Sequence, residues 1–228
     1  MRDLITLCLT IGRRPDLLRQ TLESLGSLRD LPVLAINDFG DAETNAMFHQ
    51  LCPHGRIVGP GHRLGHHPAV DVLYQQVTTP FIFHCEDDWA FTRTDFLPDA
   101  LRLLNDGSEI VQVCFRDTGD MPLSDADRAL IVTETRAGIG FQRLDGLHQQ
   151  WHGYTLNPHL IRRDEWQRLG GFSGFAKERH ISRHMRGQGR FAAFLLPPAC
   201  HHIGEDRGVE PPKKTIFKSI KNWLRGRA

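Results

Sequence analysis

The chain lacks any apolar run long enough to cross a bilayer, which takes about 20 residues. The segment Leu4 to Ile11 is too short, has no basic leader or small-residue cleavage site, and is followed rather than preceded by Arg13 and Arg14. It reads as a first buried strand, not a signal peptide. Cysteine is scarce: Cys8, Cys52, Cys85, Cys114 and Cys200 are odd in number, widely spaced and without a C-x-x-C pair. That argues against a disulfide framework or a zinc ribbon and points to reduced, buried thiols and a cytoplasmic setting. Excess charge of one sign is also missing, with 28 Lys and Arg against 27 Asp and Glu. No global field therefore draws the protein to nucleic acid. There is no internal repeat, no low-complexity tract and no G-x-x-x-x-G-K-[ST] loop. Gly59, Gly61 and Gly65 imitate a dinucleotide fingerprint, but the last glycine is one residue late and the motif follows a third strand. His180 and His184 have the spacing of a zinc-protease pair, yet H-I-S-R-H carries no Glu between them.

What is present is an ordinary globular composition, 40% apolar and 24% charged. It is organised around the stretch from Phe81 to Phe91. Phe81-Ile82-Phe83-His84-Cys85 reads as a buried strand, and it runs straight into Glu86-Asp87-Asp88. Two carboxylates about 5 Å apart repel by roughly 3 kcal/mol at an effective dielectric near 20. Three of them at a strand end need a cation, a proton or full solvation. Carboxyl ends of strands are where open α/β sheets bind ligands, and hard oxygen donors there suit Mg²⁺ or Mn²⁺ shared with a substrate phosphate.

The rest of the chain alternates. A strand over Leu4–Thr10 is followed by a helix from Pro15 with Leu18, Leu22 and Leu25 on one stripe. A second strand, 32–36, ends at Asn37-Asp38. A helix over 42–51 and a short strand at 56–58 come next. Further helices are expected over 68–77, 95–104, 163–169 and from Lys177-Glu178, with strands at 109–115 and 191–195. Residues 116–140 are polar and read as a long irregular loop. The strand–helix alternation argues for a parallel, right-handed α/β unit.

The order of these features resembles the GT-A glycosyltransferases, specifically the family 2-like enzymes that use nucleotide sugars. The likeness runs over about residues 4–207. It is carried by Thr10-Ile11-Gly12-Arg13-Arg14-Pro15 after the first strand, Asn37-Asp38 after the second, and Glu86-Asp87-Asp88 in the place of a D-x-D motif. Gly170-Gly171-Phe172 with Lys177-Glu178, then His202 in His-Ile-Gly, complete it. Lys177 departs from the pattern, standing where the first acid of a pair is expected. The resemblance implies a single Rossmann-like domain with a mostly parallel mixed sheet, and a metal-dependent inverting transfer of sugar to a hydroxyl of a glycan or lipid-linked acceptor. It implies a nucleotide-diphosphate sugar donor, UDP-sugar favoured, handled by Thr10, Arg13, Asp38, Arg63, Glu86 and Asp87. Mn²⁺ or Mg²⁺ would be held by Asp88 and His202. Glu178 would be the base, kept ionised by the helix N-terminus. Trp89, Trp151 and Asn157 are acceptor-side candidates, the tryptophans by stacking on sugar faces.

Two other classes fit parts of the pattern. A sugar-nucleotide-binding protein without transferase activity fits the Lys177 departure, and a metal-dependent nucleotidyltransferase fits the acids but lacks the Lys-bearing glycine loop. A nuclease would need a basic groove that the charge balance does not suggest. Residues 208–228 form a separate basic tail whose Ile216, Phe217, Ile220, Trp223 and Leu224 recur at helical spacing. Such a helix would lie on an anionic membrane face or pack against the domain.

Overall fold

The computed structural model describes residues 1–204, so the basic tail lies outside the described residues. The apolar runs become strands because they are buried on both faces, with successive side chains pointing to opposite helical layers. In β1 (Ile5–Ile11), Leu7 and Leu9 pack into one core while Cys8 enters the other. The first core takes the leucine stripe of α1 (Pro15–Ser24), with its proline in the first turn. After β2 (Val33–Asn37), Asp41 caps α2 (Ala42–Leu51) by accepting from the Thr44 amide. Strand β3 (Arg56–Val58) leads to α3 (His66–Gln75), whose Val70, Leu73 and Tyr74 belong to the second core.

Next come β4 (Phe81–Glu86), β5 (Trp89–Phe91), α4 (Leu97–Asp106) and β6 (Ile110–Cys114). The stretch expected to be irregular is instead built. It holds a 3-10 turn at Thr118–Asp120, α5 (Asp125–Arg128) with a Ser124 capping box, β7 (Val132–Arg136) and the start of β8 (Ile139–Arg143). Strand β7 is polar because it is the edge strand of the sheet, where apolar alternation is not required, while β8 beside it buries Ile139 and Phe141. The chain then adds β9 (His159–Arg162), α6 (Arg163–Arg168), α7 (Glu178–Gly187), β10 (Phe191–Leu195) and β11 (Cys200–His202).

Nine strands make one sheet in the order β3-β2-β1-β4-β9-β6-β10-β8-β7, and every strand except β8 and β9 runs in the same direction. The chain winds outward from β1 through β2 to β3, then returns to place β4 on the other side of β1. That reversal is the switch point at which an open α/β sheet leaves a crevice. All five cysteines are buried thiols, as expected.

The reversed strand β9 has a cost. It stacks His159 on His84 of β4 with ring centroids 5.2 Å apart, both fully buried, and neither ring nitrogen of His84 has a partner among the described residues. Burial pushes both imidazoles below their ordinary range, His159 to about 4. Unfolded, each would titrate near 6.5, so stability is full above that pH and falls as acid charges only the unfolded chain. For His159 the loss reaches about 2 kcal/mol by pH 5 and about 3 kcal/mol below pH 4. Urea midpoints at pH 7 and pH 5 should show this fall, and His159→Gln should flatten it. Equal pH slopes for the two proteins would refute the assignment.

Candidate active site

The register of the sheet aligns three loop starts. Thr10 lies level with Ile36 on β2 and with Glu86 on β4, so the chain leaves β1, β2 and β4 at one crevice. The cleft there, about 240 Å³, is lined by Thr10, Asp38, Arg63, Glu86 and Asp87 among others. Five of the six donor-side candidates therefore converge. Arg13 does not line the cleft; its guanidinium lies 4.5 Å from the centroid of the Phe39 ring, and that of Arg63 lies 5.5 Å from it. Asp38 is engaged with backbone, accepting from the amides of Leu64 and Gly65 at 2.6 and 3.0 Å. It ties the third-strand loop to the cleft wall.

Two of the three acids, Asp87 and Asp88, share a cation. It is Arg14, which sequence reasoning passed over in favour of Arg13. Its guanidinium donates to Asp88 Oδ2 at 2.7 Å and to Asp87, while the Gly12 amide donates to Asp87 Oδ2 at 3.0 Å. A side chain at Gly12 would strike Phe39 at 2.4 Å, which explains glycine at this close approach. Burial raises Asp87 to about 7 against the pull of Arg14. Burial also drives Glu86 well up, with Asp88 adding to the effect. Asp88 goes the other way: burial opposes its ionisation, but His202 and Arg14 together bring it below the usual carboxylate range. The trio thus concentrates its charge on Asp88.

A two-stranded ribbon supplies the histidine. Strand β11 pairs antiparallel with β5, setting His202 opposite Trp89, and His202 Nε2 stands 3.2 Å from Asp88 Oδ2. This pairing buries Trp89 to 1% exposure, with its indole donating to Glu86 Oε2 at 3.3 Å. The acceptor-stacking expectation for Trp89 is therefore corrected: the ring is core and leaves no face for a sugar. Trp151 is exposed, as stacking requires. Asn157 is half-buried and accepts from Arg116 Nη1 at 3.2 Å.

Among the described residues no three His, Cys, Asp or Glu side chains form a metal-holding group. Two groups nonetheless fit a divalent ion. Asp88 Oδ1 is buried without a partner among the described residues, and Oδ2 is already shared with His202. One carboxylate and one imidazole suit an ion that takes its remaining ligands from substrate phosphates and water, as Mg²⁺ and Mn²⁺ do, rather than from a protein cage.

Glu178 opens α7 and faces the same region, accepting from the Leu156 amide at 3.3 Å and from the Thr155 hydroxyl. Its electrostatic neighbours include Glu86 and His67. The helix N-terminus is expected to keep Glu178 ionised; burial works against this, outweighing those hydrogen bonds and raising its pKa. The turn before α7 is held by Asp71 of α3, a residue absent from the sequence reading. Asp71 accepts from Trp166 Nε1 at 2.7 Å, from the amides of Phe172 and Ser173, and from the Ser173 hydroxyl. Gly171 has φ +87°, and a side chain there would lie 2.8 Å from the Asp71 carboxylate. Nearby, His67 Nδ1 is 2.7 Å from the Phe175 carbonyl, joining the start of α3 to the loop before α7.

No protein-family model matches the chain, and no curated protein sequence does. Solved structures share its fold. The mannosyltransferase PcManGT from Pyrobaculum calidifontis, in complex with GDP-Man and Mn²⁺, matches at 18% identity and TM-score 0.66 over 91% of this chain and 59% of that one. S. aureus TarS 1–349 matches at 10% identity and TM-score 0.63, over 88% of this chain and 60% of that one. TarS 1–349 in complex with UDP-GlcNAc matches at 10% identity and TM-score 0.56, over 87% of this chain and 58% of that one. The chain has the GT-A glycosyltransferase fold, and it spans about three-fifths of the length of the proteins it matches.

Proposed function

We propose that the chain is a glycosyltransferase that moves a sugar from a nucleotide diphosphate to a hydroxyl of a glycan or lipid-linked acceptor, with inversion. The observation that carries this reading is the crevice at the ends of β1, β2 and β4. Beside it Asp88 and His202 are poised as a pair, and Glu178 lies near enough to Glu86 to act on it electrostatically. Solved proteins of this fold in complex with GDP-Man and Mn²⁺ and with UDP-GlcNAc support the donor class.

In this reading Thr10, Asp38, Phe39 and Arg63 bound the nucleotide, with Phe39 as a base-stacking face backed by Arg13. Glu86 and Asp87 face ribose and donor sugar. Arg14 holds Asp87 and Asp88 in place. A divalent ion on Asp88 and His202 would neutralise charge on the departing diphosphate. Glu178 takes the acceptor hydroxyl proton as that oxygen bonds to the anomeric carbon, while the bond from that carbon to the diphosphate oxygen breaks and its electron pair leaves with phosphate.

Thermal unfolding across UDP-, GDP- and dTDP-sugars, each with and without Mn²⁺, tests the proposal. One nucleotide series should raise Tm only when Mn²⁺ is present, by RT ln(1 + [L]/Kd) of stabilisation. Asp88→Asn should remove the metal-dependent part. No shift with any donor, or an equal shift in Asp88→Asn, would overturn it.

A further inference from the structure

Between Glu178 and Glu205 the sequence contains no acid, while Arg179, Arg183, Arg186 and Arg190 and several histidines fall within it. Two of these arginines are spent internally: Arg190 pairs with the buried Glu165, and Arg186 donates to the carbonyls of Asp145, His148 and Trp151. The others are not. The inward face of α7 is Ile181, Ser182 and Met185, so His180, Arg183 and His184 share the opposite, outward face. They line an open cleft of about 560 Å³ whose other wall is Gly174 and Phe175. Phe175 meets His184 edge-on, ring centroids 5.7 Å apart.

Among the described residues, Lys177, Arg179 and Arg183 form no salt bridge. Lys177 is exposed at the N-cap of α7 and Arg179 sits in the first turn, where the helix dipole already favours anions. Arg179 Nε is buried with no partner among the described residues. His180 is held below its ordinary range, by desolvation and then by Arg183, Arg179 and Lys177. The cleft is also next to the chemistry. His180 stands within one turn of Glu178, and Phe175 is tied through its carbonyl to His67, beside the His66 that lines the donor crevice.

We propose that this cleft is an outer acceptor subsite for an anionic glycan, with Arg183 gripping a phosphate or carboxylate group and Phe175 offering a ring face to the adjoining sugar. It rests on the transferase reading and names the acceptor class for it. A guanidinium presents a planar fork matched to either anion, and an aromatic face beside it suits a sugar rather than a free ion. A neutral glycan would gain nothing from Arg183, which has no anionic partner among the described residues.

The test titrates full-length protein with fluorescent oligomers of equal length: galacturonic acid, glycerol phosphate, neutral dextran and single-stranded DNA. At least one anionic saccharide or polyol phosphate should bind at least 10-fold more tightly than dextran and DNA, and Arg183→Glu should raise its Kd by 10-fold or more with Tm unchanged. Which of the two binds identifies carboxylate or phosphate as the group gripped. Equal binding of DNA, equal binding of dextran, or anion binding untouched by Arg183→Glu (as it would be if residues 208–228 were responsible) would overturn the proposal. The donor-dependent Tm shift, measured on the same samples, reports the transferase reading separately. A surviving Tm shift with no Arg183-dependent binding sinks the subsite alone.

Discussion

Glu178→Gln should lower kcat by a factor of about 10² or more while donor affinity stays near that of the unaltered protein. The substitution keeps the shape and the hydrogen bonds to Leu156 and Thr155 within reach, but removes the carboxylate proposed to take the acceptor proton. The pH profile supplies a second readout. Because burial raises the Glu178 carboxyl, its protonated, inactive form persists to higher pH than for an exposed glutamate. The acid limb of kcat should therefore lie above the usual carboxylate range of about 4.3, with rate rising as pH passes through it. That limb should vanish in Glu178→Gln. A variant that loses donor binding but turns over normally at saturation would make Glu178 a donor contact or a structural group instead.

Asp71→Asn should be the most damaging single change outside the crevice. Four donors converge on this buried carboxylate, from Trp166, Phe172 and Ser173. An amide in its place turns one acceptor into a donor facing other donors. Hydrogen bonds to a charged group contribute about 1.5–3 kcal/mol each, so a loss of roughly 3–5 kcal/mol is expected. For a chain of this size that corresponds to a fall in Tm of about 10 °C. Because Asp71 fastens the turn that delivers Glu178, kcat should fall too at temperatures where the protein remains folded. Gly171→Ala should do the same through the 2.8 Å approach of its new side chain to Asp71. An unchanged Tm in Asp71→Asn would show that the carboxylate is not the anchor.

The sequence by itself determined those features that depend on local pattern. The buried strands at Ile5–Ile11 and Phe81–Glu86, the proline-started α1 and the glycine-bounded α7 follow from runs, periodicities and end signals within a few residues. The acidic cluster was legible for the same reason, since three consecutive carboxylates after an apolar run are a local anomaly. Strand order and the pairing of distant groups were not. Strand β9 is four residues long and too short to show a period, and it is a strand because β4 and β6 on either side supply its hydrogen bonds. Strands β5 and β11 exist only through each other, and their pairing both buries Trp89 and brings His202 to Asp88. The choice of Arg14 over Arg13 turns on which way two adjacent side chains point as the chain leaves β1, and that is decided by Asp87 and Asp88 some seventy residues away. Asp71 reads in the sequence as one polar residue on a helix. Only the fold places Phe172 and Ser173 against it, because a carboxylate's partners are chosen by tertiary proximity and not by spacing along the chain.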